Sequence, residues 1–125
     1  MTIPETILGK TQLVKKFHLV AAQACLRLQD YDRTQEHLQK SCELIMVNDR
    51  DQLKVYFLAF KMQCQLKDKD EAMAVFQQIL TCQHVTAEPI IECFDVLVQN
   101  NLTELALALG SHFLKNLDKF VLEFQ

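Results

Sequence analysis

The sequence predicts an all-α protein built as a stack of about three helical hairpins. Three observations lead there: scarce turn residues, apolar positions at helical spacing between short polar breaks, and a layout that recurs along the chain. Two Gly and two Pro in 125 residues leave little punctuation for the tight turns of a sheet protein. Half of the residues are hydrophobic, which is ample for a core and leaves no compositional case for disorder. The length suits one domain spanning 1–125, or a piece of a longer array.

The elements follow in order. "TIPE" places Thr2 three residues before Glu5 with Pro4 between, the pattern of a capping box, so a short helix is expected to open here and to end at Gly9. From about Thr11 to Gln29, Leu13, Phe17, Val20, Ala21, Ala24 and Leu28 recur at helical spacing and are expected to face the core. After "QDYD", Asp32 is expected to cap a second helix reaching about Met46, with Leu38, Cys42 and Ile45 inward. Asn48 or Asp49 then caps a third, about Arg50 to Leu66, which is apolar nearly all round and so needs cover on more than one side.

"KDKD" opens the fourth helix, about Asp70 to Cys82, with Ala72, Val75, Phe76, Ile79 and Leu80 inward. Thr86 is placed to cap the fifth, with Pro89 in its first turn, and Ile90, Ile91, Phe94, Leu97 and Val98 align along it to about Gln99. Asn100 and Asn101 break the chain before a sixth helix, Leu102 to about Leu114. The tail from Leu117 to Gln125 starts a further or capping helix, and its apolar residues read as the edge on which another repeat would stack. The hairpins are thus about 11–46, 49–82 and 86–116.

Segments at a fixed offset are alike, as expected of a repeat architecture. "QDYDRTQEHLQKSCEL" lies 38 residues before "KDKDEAMAVFQQILTC", matching Asp30 to Asp68, Asp32 to Asp70, Leu38 to Phe76 and Gln39 to Gln77. A third unit, "NNLTELALALGSHFLK", puts Ala106 34 residues beyond Ala72. One hairpin buries one face of itself, and stacked copies complete the core.

"LKDKDEAMAVFQQIL" resembles the second half of a tetratricopeptide repeat, close to G-D-Y-D-E-A-I-x-Y-Y-Q-K-A-L. Asp68, Asp70, Glu71, Ala72, Phe76, Gln77 and Leu80 fit, whereas Lys67 replaces the turn glycine and Lys69 the tyrosine. In the first unit Asp30, Tyr31, Asp32, Gln39 and Lys40 fit, with Thr34 in place of the small alanine; the third fits weakly. Tyr56 takes the usual tryptophan place, and Ala59 and Phe60 the Leu-Gly pair, so the close approach that glycine supplies is lost there. The resemblance, over about Thr11 to Asn116, implies a right-handed superhelical α-solenoid that binds proteins. Within that superfamily the middle and third units are similar in texture to meiotic tetratricopeptide scaffolds of germ cells. That likeness implies synaptonemal or recombination proteins as partners, a role in synapsis and crossover formation, and a chromosome-associated location in the nucleus.

The resemblance further implies a peptide groove along the first helix of each hairpin. Lys16, Leu19, Gln23, Leu26 and Arg27 would line it in the first repeat, Lys54, Phe57, Lys61, Cys64 and Gln65 in the second, and Glu88, Ile91, Glu92 and Asp95 in the third. One end would be basic and the other acidic, suiting a ligand of opposite polarity. Family members that clamp a chaperone's C-terminal carboxylate use a Lys and an Asn where this chain has Leu19 and Gln23, so that activity is not carried over.

Other classes find little support. The net charge is −3 and the only arginines are Arg27, Arg33 and Arg50, so there is no basic patch for direct nucleic-acid binding. His18, His37, His84 and His112 are dispersed over the hairpins, with no H-E-x-x-H, nucleophile elbow or phosphate loop, and no enzyme is expected. "CQH", Cys82 to His84, is the one close Cys/His pair; a zinc site needs two more ligands, so no metal or cofactor is expected. Cys25, Cys42, Cys64, Cys82 and Cys93 form no C-x-x-C and read as reduced thiols of an intracellular protein. No apolar run reaches the roughly 18 residues of a membrane span, and no signal-peptide pattern occurs.

Overall fold

The structure, a computed structural model, describes residues 5–45, 50–82 and 85–117, with side chains from residue 9 onward. Among them it is all-helical: α1 (Glu5–Arg27), α2 (Tyr31–Glu43), α3 (Asp51–Gln65), α4 (Lys69–Leu80), α5 (Ala87–Gln99) and α6 (Thr103–Lys115). Thr2, Pro4, Asn48, Asp49 and the tail after Leu117 lie outside the described residues, and so do the caps and the further helix expected there.

The separate opening helix is corrected: α1 runs through Gly9 without a break. A lone glycine in a helix costs about 1 kcal/mol against alanine, too little to stop one that packs over its later turns. Gly9 takes no positive φ, and a Cβ there would meet nothing within 4 Å.

The core face of α1 is also corrected. Leu13, Phe17, Val20 and Leu28 are 71, 62, 65 and 78% exposed, while Leu19, Ala22 and Leu26 are buried. The helix carries two apolar stripes, and close contact with α2 selects the slimmer one. Ala22, Thr34 and Ser41 are fully buried where α1 meets α2. An interface of such small residues brings two helices together and leaves no room for the ring of Phe17. Leu26→Ala should therefore lower stability by about 2–5 kcal/mol in urea unfolding. Leu13→Ser and Phe17→Ser should each stay within about 0.5 kcal/mol of wild type, as surface changes do.

Within each hairpin the two helices are joined by the same turn. Gln29, Lys67 and Asn101 take left-handed φ values of 59, 61 and 62°. The next N–H closes back across each helix end, Asp30 onto the Cys25 carbonyl at 2.9 Å, Asp68 onto Gln63 at 3.0 Å and Leu102 onto Leu97 at 2.8 Å. That is a Schellman closure, which satisfies a helix's last carbonyls and reverses the chain. Asp30 and Asp68 then cap α2 and α4, their carboxylates accepting the N–H of Arg33 and Glu71 at 3.3 and 3.2 Å. The capping expectation for Asp32 is thus displaced by two residues: Asp32 sits in the first turn, where its charge suits the helix dipole. Leu102 stands at the third such position with no side-chain cap.

The turns align Thr34, Ala72 and Ala106, whose N–H groups all return to the capping residue's carbonyl at 3.0 Å and whose side chains are all buried. α3 packs against α1, α2, α4 and α5, the multiple cover that its all-round apolar sequence requires. Val55, Leu58 and Met62 join Leu19, Ala22, Leu26 and Leu38 in one core cluster. Phe60 and Cys64, on another face, belong to a larger cluster extending through α4, α5 and α6. Phe60, in the place where the repeat pattern has glycine, is itself buried and lies 6.2 Å from the Phe76 ring, so a side chain fills the crossing instead of opening it.

The inward residues expected on α4, Ala72, Val75, Phe76, Ile79 and Leu80, are all buried. On α2, Leu38 is buried and Ile45 half-buried, but Cys42 is exposed. On α5, Ile90 and Leu97 are buried and Phe94 half-buried, whereas Ile91 and Val98 are 60 and 52% exposed; Cys93 and Val96 take the inward places. α5 packs against α3, α4 and α6.

Candidate functional site

The first helices of the first two hairpins, α1 and α3, lie side by side. Between them opens a cavity of about 390 Å³. Its floor is apolar, made by Leu19 and Val20 from α1 and Phe57 and Leu58 from α3. Lys16, Gln23, Lys54 and Lys61 complete the lining, so three cations and no anion border it.

Register explains the composition. Measured from the left-handed turn residues, 38 and 34 residues apart, Lys16, Lys54 and Glu88 occupy one position of the hairpin. Leu19, Phe57 and Ile91 occupy a second, and Gln23, Lys61 and Asp95 a third. The cavity is therefore the same surface presented by two successive units. Lys61 lies over the Phe57 ring, Nζ 5.6 Å from its centroid, which holds the ammonium at the rim while its stem covers the apolar floor. Lys54 reaches Asp51 Oδ1 at 3.4 Å but its side chain remains 68% exposed.

Six residues expected in the groove, Lys16, Leu19, Gln23, Lys54, Phe57 and Lys61, are thus brought together around one cavity. The others are not. Arg27 is exposed at the end of α1, and Gln65 accepts a hydrogen bond from the Tyr31 hydroxyl at 3.2 Å. Leu26 and Cys64 are core residues, 3 and 0% exposed. Glu88, Glu92 and Asp95 are exposed on α5, outside the cavity. Val20 and Leu58 line the cavity although the sequence reading put Val20 in the core. The 38-residue offset that pairs them was the signal that could have found them.

Beneath the groove a buried ion pair ties α1 to α3. Lys15 Nζ lies 3.0 Å from Asp51 Oδ2, with side-chain exposures of 1 and 10%. The Ser41 hydroxyl donates to the Lys15 carbonyl at 3.4 Å, bringing α2 into the same junction. A second cavity, about 370 Å³, lies on the other side of α3 and is lined from α2, α3 and α4 by Leu38, Cys42, Tyr56, Met62 and several glutamines.

Among the described residues the titratable groups fall in separate places. His18 and His37, read as dispersed, in fact meet across α1 and α2 with Nδ1 atoms 2.9 Å apart, one ring donating and the other accepting. Burial first, and then His37 and Lys40, hold the His18 pKa below its ordinary value. Burial pushes the thiols of Cys64 and Cys93 up to about 12 and raises that of Cys82, whose Sγ donates to the Gln78 carbonyl. His84, the partner in "CQH", lies outside the described residues. No three His, Cys, Asp or Glu side chains among the described residues are grouped to hold a metal ion. Iodoacetamide at pH 8 should label exposed Cys42 in the folded protein, with Cys64 and Cys93 reacting only on unfolding; mass-spectrometric peptide mapping checks this.

No described helix is long and apolar enough to cross a membrane. Compared with known proteins, the chain matches no family model, no curated protein and no solved structure.

Proposed function

We propose that the chain is a non-enzymatic protein-interaction scaffold of tetratricopeptide type, its three hairpins stacked in a right-handed superhelix. Its ligand, an acidic and apolar peptide, is taken between α1 and α3. The observation that carries this reading is the cavity of about 390 Å³ with an apolar floor and three lysines at its border. Such a site desolvates an apolar anchor while the rim cations select and steer an acidic flank. The three matching turns support the stacked-hairpin part.

The test is a peptide selected on the immobilised protein from a random display library. Lys54→Glu with Lys61→Glu should weaken it at least tenfold by fluorescence polarisation; unchanged affinity rejects the groove. On the germ-cell resemblance alone, synaptonemal or recombination proteins are the proposed partners and the nucleus the proposed location. Failure to recover them from germ-cell extract leaves the scaffold without that assignment.

A second reading, an obligate subunit of a larger assembly, is favoured by the exposed Leu13, Phe17 and Leu28 on α1. It predicts the reverse result: charge reversal in the groove leaves the assembly intact, and Phe17→Ser disrupts it.

A further inference from the structure

The first helices of the three hairpins carry opposite charges at two matching register positions, Lys16 and Lys54 against Glu88 and Lys61 against Asp95, with Glu92 beside the latter pair on α5. The α1 and α3 units present Lys16, Lys54 and Lys61; the α5 unit presents Glu88, Glu92 and Asp95. All three acids are exposed, and among the described residues none of them forms an ion pair, although α3 and α5 are packed neighbours. Between the acids Ile91 stands 60% exposed, an apolar knob in an acidic ring. The cavity between α1 and α3 is its converse, an apolar hollow in a basic ring. Each patch is what the other needs; within the chain Lys54 reaches Asp51 at 3.4 Å, yet its side chain stays 68% exposed.

We infer that the partner is a second copy of this chain, with α5 of each copy set on the α1 and α3 groove of the other. Ile91 enters the hollow over Phe57 and Leu58, and Glu88, Glu92 and Asp95 meet Lys16, Lys54 and Lys61. Two identical contacts related by a two-fold axis close the pair, using both patches of both copies and leaving no free end for a filament. Desolvating an unpaired charge is unfavourable, so opposite patches lower each other's cost on contact, whereas like patches repel in any other register. Association must therefore weaken with salt. The inference goes beyond the proposed function: it uses the same groove but needs no external ligand, and the dimer occludes the groove until a peptide competes for it.

Sedimentation equilibrium of the full chain tests it, with folding of every variant checked by circular dichroism. In 50 mM salt the mass should rise from 14.5 kDa toward twice that value with concentration, and 500 mM salt should raise the dissociation constant at least tenfold. K54E/K61E and E88K/E92K/D95K should each be monomeric alone. Mixed, they should form a heterodimer, because one contact is restored with its charges exchanged and the other is the native one. A strict monomer at every concentration overturns the inference, as does a dimer indifferent to salt and to both reversals but lost in Phe17→Ser. Peptide selection reads an external ligand and sedimentation reads the second copy, so the two can fail separately.

Discussion

Asp51→Ala is expected to destabilise the protein by about 3–5 kcal/mol, because it removes the carboxylate 3.0 Å from the Lys15 ammonium in a site where only 1% of that side chain reaches water. For a single domain, whose total stability is about 5–15 kcal/mol, this is a large fraction. Lys15→Met should cost less. The remaining Asp51 keeps Lys54 at 3.4 Å and stands in the first turn of α3, where the helix dipole favours a carboxylate. The double change Lys15→Met with Asp51→Leu should recover most of the loss, since apolar residues of similar size often replace a buried ion pair without penalty. Urea unfolding of the three variants gives the cycle. Strict additivity in the double would show that the pair is not coupled.

Phe76→Ala should cost about 3–5 kcal/mol, by removing a ring that is 1% exposed and leaving a cavity around it. The effect is not confined to α4. Phe76 lies 6.2 Å from Phe60 and 5.5 Å from Phe94, and Phe94 lies 6.4 Å from Phe113, so one chain of rings runs from α3 to α6. Tilted pairs of this kind contribute about 0.5–1.5 kcal/mol beyond their area. Loss of the central ring should also separate the third hairpin from the second, so unfolding followed by far-ultraviolet circular dichroism and by hydrogen exchange at α5 and α6 should no longer coincide. Coincident transitions with a loss under 1 kcal/mol would mean that the ring chain does not join the hairpins.

Much of the groove was legible because a helical position repeats when a hairpin repeats. Once "QDYD" and "KDKD" are set in register, Lys16 and Lys54, and Leu19 and Phe57, fall at matching places, and the structure brings them around one cavity. Leu26 and Cys64 also share a register position, but it is one turn deeper and buried, a distinction that needs the angle at which neighbouring helices cross. The cap at Asp30 was missed for a different reason. Either aspartate of "QDYD" can cap, and the left-handed turn at Gln29 decides between them.

The sequence by itself determined that the chain is helical, where the breaks between α2 and α6 fall, and the inward face of α4. Few turn residues, short polar breaks and the stripe Ala72, Val75, Phe76, Ile79 and Leu80, all of it buried, carry that much. Only the tertiary structure decided which face of α1 is core. Leu13, Phe17 and Val20 form the greasier stripe, yet Lys15, Leu19, Ala22 and Leu26 are the ones enclosed. Local periodicity weighs hydrophobicity, whereas packing weighs shape. Fully buried Ala22 on α1 and Thr34 and Ser41 on α2 are small enough for the two helices to close together, and Asp51, distant in sequence, supplies a countercharge to buried Lys15.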